Sequence, residues 1–262
     1  VEMYEEIRKE SLKTLLRSCR KGLEPQRMGL PPKQHRRSEG LSQEDAAHLA
    51  GVSVRWWSDL ENGLQTPHPE MLDAVATALR MSTDQRADLY FLAVGHTTTA
   101  ISTAPVQAEP QDHELVLRAH PLPAIVTDHV GNVLARNTAA VAYFPDLENS
   151  HDTPNITLCL FEPEAAERIL NLGELRALRI AHLKAMFLRH GAGPTAVDVI
   201  QRVLALPEAA LHWKTERATV NHTVFTTHVR TAEGAVEELT WAIAEFTNGK
   251  QFLIGFPPRA LS

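Results

Sequence analysis

The chain has 262 residues, 44% of them hydrophobic and 22% charged, with a formal charge of −6. That is ordinary globular composition with room for two domains of roughly 100 to 200 residues each, which excludes a mostly disordered, collagen-like or coiled-coil protein. No run approaches the ~20 apolar residues of a membrane span, and Val1-Glu2-Met3-Tyr4-Glu5-Glu6 lacks a signal peptide's layout, so a cytoplasmic protein without a membrane partner is expected, with Cys19 and Cys159 as free thiols.

Tyr4, Ile7, Leu12, Leu15 and Leu16 recur at helical spacing among Glu, Lys and Arg, which predicts an amphipathic helix over 3–19. The stretch from Gly22 to Gly40, with Pro25, Pro31 and Pro32, interrupts it. Residues 17–37 hold Arg17, Arg20, Lys21, Arg27, Lys33, Arg36 and Arg37 against Glu24 alone, a local +6. This reads as a basic surface patch or as a solvated loop. Ser42 followed by Asp45 resembles a capping box, and Gly51 sits where a helix ends. Ser53 can cap a second short helix, Val54 to Asn62, that stops at Gly63, so the pair forms a helix-turn-helix. Pro69 opens a fourth helix buried through Leu72, Val75, Ala76 and Leu79, and Ser82-Thr83-Asp84 opens a fifth running to about Val94. The first domain, 1–95, is therefore all-α with five helices.

From Ala93 to His113 the chain is rich in Thr, Ala and Pro without an apolar period, a linker composition assigned to 96–112. The charge divides there into −1 for 1–95 and −5 for 96–262. Overall acidity thus conceals the basic patch.

Beyond the linker, Pro123–Asp128 and Asn132–Arg136 read as a strand pair around a turn at 128–131. Asn137 caps a helix to Phe144, and helical periods follow over 164–171, 173–190, 194–206 and 207–214. Strands return at His222–Thr231, Val236–Phe246 and Gln251–Phe256, separated by Glu233-Gly234 and Asn248-Gly249 turns. Strands at both ends with helices between predict an α+β domain over 113–262, an antiparallel sheet covered by helices.

The run from Leu41 to Ser53 and the closing Leu60-Glu61-Asn62-Gly63 closely resemble Cro/XRE-type helix-turn-helix regulators. The resemblance implies that Ala47, Val52, Trp57 and Leu60 pack the helix pair, and that Ser53, Val54, Arg55, Ser58 and Asp59 face double-stranded DNA in the major groove. Arg55 can bond both acceptors of a guanine edge. Asp59 either accepts from cytosine or orients Arg55, and Trp56 either packs on DNA or anchors the basic loop. Gln43 and Asn62 resemble positions that touch phosphate, and Arg36 and Arg37 could add phosphate or minor-groove contacts.

The whole chain resembles XRE-type regulators that carry an MmyB-like ligand-binding domain with a PAS-like fold. Gly29-Leu30-Pro31-Pro32, Arg36-Arg37, Pro123–Asp128, Val133–Ala140, Leu160-Phe161 and the terminal strands carry it. The family usually places a tryptophan where Arg136 stands and a proline where Val229 stands. A pocket for a small molecule or fatty-acyl chain between sheet and helices is implied. Phe161, Met186, Phe187, Trp213, Phe225 and Trp241 could line it or simply fill the core. Asn137 is either a helix cap or a ligand contact, and His228 either a donor to an acid or carbonyl ligand or a surface histidine.

His182 and His190 lie about two turns apart, too far for one metal ion, and no nucleophile elbow, P-loop or dinucleotide fingerprint is present. Neither enzyme nor cofactor is expected. The expected function is a sequence-specific transcriptional regulator, a homodimer on a palindromic operator whose second domain senses a ligand. The alternative is a protein-interaction adaptor or antitoxin-like DNA-binding module without a small-molecule ligand.

Overall fold

The computed structural model describes residues 2–30, 40–65, 67–94, 106–147, 153–216, 218, 224–231, 234–246 and 248–258. The chain divides into two units, Val1–Ala100 and Ile101–Ser262.

In the first unit, α1 (Glu2–Lys21) buries Tyr4, Ile7, Leu12, Leu15 and Leu16, the residues whose period predicts it. A 3-10 turn, Pro25–Met28, follows it. The helix-turn-helix consists of α2 (Gln43–Ala50) and α3 (Val54–Glu61). Ser42 Oγ accepts from Asp45 N at 3.1 Å while Asp45 Oδ2 accepts from Ser42 N at 2.9 Å, so two otherwise unpaired backbone donors are satisfied together. Ser53 Oγ accepts from Trp56 N at 3.1 Å and does the same for α3. Ala46, Ala47, Trp57 and Leu60 are fully buried between the helices, whereas Val52, in the turn, is only half-buried. Helices α4 (Pro69–Ala78) and α5 (Thr83–Val94) complete the unit, giving five α-helices among the described residues.

Gly40 packs against the end of α1. Its φ is +80°, and an added Cβ would stand 2.3 Å from the Lys21 carbonyl oxygen, so only glycine fits. That approach lets Leu41 N donate to Arg20 O at 2.9 Å.

The second unit has the predicted α+β, PAS-like organisation. Its strands are β1 (Ala124–Thr127), β2 (Val133–Arg136), β3 (Val224–Arg230), β4 (Val236–Glu245) and β5 (Gln251–Phe256). Among the described residues they form one antiparallel sheet in the order β2-β1-β5-β4-β3. Side chains alternate across it. Ile125, Leu239, Trp241 and Leu253 face one core cluster, and Ala124 and Val126 face another with Val116.

Val116 belongs to α6 (Pro110–Arg118), a helix that overlaps the stretch read as linker. Two sets of hydrogen bonds explain the difference. Asp112 Oδ2 accepts from Glu109 N at 2.8 Å, which starts the helix. Lys250 Nζ then donates to Asp112 at 2.7 Å and to Glu109 at 2.9 Å, a pairing made across 138 and 141 residues of chain. The remaining helices are α7 (Thr138–Tyr143), α8 (Pro163–Arg168), α9 (Leu172–His190), α10 (Pro194–Ala205) and α11 (Pro207–Thr215). From Arg179 to Leu188, α9 is buried on every side.

Strand β3 lies at one side of the sheet, and the junction between α8 and α9 covers it. Ile169 bridges Val229, Leu170 N donates to His228 O at 2.9 Å, and Asn171 accepts from His228 N at 3.0 Å and donates to Thr226 O at 2.9 Å.

Candidate functional site

The helix-turn-helix presents one buried and one open face. Trp57, Leu60 and Glu61 point inward, and Ser53, Val54 and Arg55 are exposed at the N-terminal end of α3. The Arg55 side chain is 92% exposed and its Nε stands 4.0 Å from Asp59 Oδ2, a loose pairing one turn away that leaves the guanidinium free to reach outward. Trp56, Ser58 and Asp59 are half-buried. Asn62, just past the helix, is exposed and donates to Ser58 O at 2.8 Å. Arg36 and Arg37 lie outside the described residues.

What holds this face in place is a buried polar network. Glu61 accepts from Arg20 Nη2 at 3.1 Å and from Trp57 Nε1 at 3.0 Å, and Arg20 Nη1 donates to Leu41 O at 2.9 Å. Gln43 also bonds Glu61, so its side chain belongs to this network. Burial opposes ionisation of Glu61. The Arg20 guanidinium and the Trp57 and Gln43 bonds outweigh it and hold the carboxyl below its ordinary range. In sequence, Leu60-Glu61-Asn62-Gly63 reads only as a helix ending; the network is invisible there because Arg20 lies 41 residues earlier.

In the second unit, a cavity of about 70 Å³ opens between the sheet and α7, α8 and α9. Its walls are mainly Ile125, Tyr143, Phe144, Leu147, Ile169, Leu175, Phe225, Trp241 and Leu253. Of the aromatic and Met candidates, the fold brings Phe225 and Trp241 to this wall, with stacked rings 6.3 Å between centroids. Met186 and Phe187 are fully buried farther along α9 and are not part of the lining. Trp213, on α11, carries Lys184 Nζ 5.6 Å above its ring, and Phe161 carries the Arg176 guanidinium at 4.9 Å; neither lines the cavity.

Asn137 is committed to the fold. Its Oδ1 accepts from Ala140 N at 2.9 Å and Ala124 N at 3.1 Å, and its Nδ2 donates to Val116 O at 2.9 Å and Leu122 O at 2.8 Å. All its bonding capacity is used. His228 follows Thr227, which lines the cavity, so by strand alternation it projects from the opposite side of the sheet, where its Nε2 lies 3.2 Å from Glu238.

The polar groups of the cavity come from elsewhere in the sequence. Tyr143 Oη donates to Glu237 at 2.5 Å; this bond, with burial, pushes its pKa up to about 12. Thr227 Oγ1 accepts from Trp241 Nε1 at 3.0 Å. Arg168 and Arg179 also line the cavity. Arg179 was legible in principle: Leu172, Leu175, Arg179, His182 and Met186 repeat at alternating three- and four-residue steps, all buried, so a charge stands on the apolar stripe of α9.

Residues 109–251 match the MmyB-like transcription regulator ligand binding domain, and residues 33–89 match a helix-turn-helix domain. The chain belongs to the MmyB-like transcription regulators. No curated protein matches the chain. This MmyB-like regulator thus joins a DNA-binding element to a ligand-binding domain, and both matches are to domains of transcription regulators. No helix among the described residues is long and apolar enough to cross a membrane.

Proposed function

We propose that this MmyB-like regulator binds a specific operator as a homodimer, with α3 in the major groove and Arg55 reading guanine, and that occupancy of the cavity by a small apolar or acyl-type ligand alters its DNA affinity. The observation that carries the DNA half is the exposure of Arg55 at the N-terminal end of a helix whose opposite face is locked by Trp57, Leu60 and Glu61. A symmetric dimer is favoured because one such small domain covers little DNA, and a palindrome matches its two-fold axis. Ser53, Val54, Ser58, Asp59 and Asn62 complete the proposed interface. For coupling, the ligand must bind one state of the protein better than the other.

Selection of bound duplexes from a random pool by mobility shift, followed by sequencing, tests the reading. A palindromic motif is expected, and recovery of no enriched motif overturns it. In the same selection Arg55→Ala should flatten the preference at one position of each half-site, by about 1–3 kcal/mol of discrimination.

A further inference from the structure

The sheet of the second unit is covered unevenly on the face that points away from the cavity. There α6 packs against β1 and β2, and Val116 helps to bury Ala124 and Val126. The cross-strand register carries the same face over the rest of the sheet: Ala124 pairs with Ile254, Ile254 with Ala242 and Ala242 with Val224. Ala124 is fully buried, whereas Val224, at the other end of that row, is 59% exposed. In the neighbouring row, Phe256 pairs with Thr240 and Thr240 with Thr226, and Phe256 is 42% exposed. None of these side chains is charged. At the following row Glu238 is engaged by His228 of its own sheet, at 3.2 Å. A contiguous uncharged patch across three strands marks an interaction surface rather than ordinary scatter of apolar residues.

The chemistry of the patch selects its occupant. It offers no charge to attract an acidic or basic partner. The border of β3 is closed to strand addition, because Thr226 O and both backbone groups of His228 are already bonded. Face-on packing remains, and the small side chains of β4, Thr240, Ala242 and Ala244, let a second sheet lie at the ordinary spacing of ~10 Å. A two-fold axis along the strands sets the open half of one copy on the open half of the other and sends the two α6 helices to opposite sides; an axis across the strands would drive those helices together. We infer that a second copy of this chain docks on β3, β4 and β5, sheet against sheet, with both β4 strands near the axis. This rests on the homodimer of the proposed function and gives it a surface. At ordinary strand spacings the patch measures about 14 Å by 17 Å, below the ~800 Å² per partner of a standard interface, so the dimer should dissociate on dilution.

Sedimentation velocity of the full chain between about 1 and about 100 μM tests it. The unaltered protein should pass from monomer to dimer across that range. Ala242→Glu and Ala242→Lys should each raise the dissociation constant about tenfold or more, since like charges then meet near the axis, and an equimolar mixture of the two should dimerise again. Leu211→Glu, which places the same charge on an exposed leucine of α11, should leave dimerisation unchanged. Should either Ala242 variant lose its circular dichroism spectrum, Ala244→Glu and Ala244→Lys repeat the comparison at an exposed position of the same strand. Dimerisation undisturbed by these charges, or no recovery in the mixture, overturns the sheet face and leaves a homodimer through another surface. A chain that stays monomeric throughout overturns the inference, and the operator selection, in which a palindrome still reports a homodimer on DNA, then decides the proposed function by itself.

Discussion

Glu61 turns a surface-recognition problem into a buried-charge problem. Arg20 and Glu61 are both nearly inaccessible, and removing one partner leaves the other charge uncompensated, which costs roughly 3–5 kcal/mol. Glu61→Gln should therefore lower the thermal stability of the helix-turn-helix unit by that order and weaken binding to every DNA sequence alike, unlike Arg55→Ala. The pH dependence follows from the lowered carboxyl pKa. The stability Glu61 lends is present above its unfolded value of about 4.5 and is lost as pH falls through the lower folded value. Thermal melts of both proteins across that range should show the gap between them narrowing on acidification. This pair was not evident from local sequence, because it owes its role to what surrounds it after folding. Arg55 was evident because exposure at a helix start depends on the cap and the apolar period nearby.

At the scale of elements, local signals were strong predictors where they included a cap. Ser42, Ser53, Pro69 and Asn137 each mark a helix start that the structure bears out. Helix α6 escaped because its apolar face is short and its start is fixed by Lys250, which arrives on the turn before β5. The two roles weighed for Asn137 make separable predictions. With four bonds to α6, the chain before β1, β1 and α7, Asn137→Ala should destabilise the second unit by about 2–4 kcal/mol, since buried backbone donors and acceptors are left unpaired. Chemical denaturation measures that loss. A ligand-contact role would instead alter ligand binding by the folded fraction, which should stay unchanged in this variant. Ser53→Ala should cost the first unit about 1 kcal/mol through the absent cap alone.

For the molecule as a whole, net charge is a poor guide to partners because it averages two units of different work. The −6 total combines a nearly neutral N-terminal stretch carrying the basic 17–37 segment with a C-terminal stretch at −5. DNA affinity should accordingly fall with salt through residues of the first unit. In anisotropy titrations, replacing both Arg36 and Arg37 by Ala should reduce the log–log salt slope by about 0.9 for each phosphate no longer neutralised. An unchanged slope would place that loop outside the interface.

The covering of β3 by Ile169, Leu170 and Asn171 bears on how this protein behaves when crowded. An uncovered strand at the border of a sheet is a template on which another chain can add a strand, the first step of many insoluble deposits. Here Thr226 O and both backbone groups of His228 are already occupied. Asn171→Ala should release two of them and make concentrated samples scatter light on mild heating sooner than the unaltered protein does. The segment that brings Ile169 to the cavity wall thus also keeps the sheet from recruiting its neighbours.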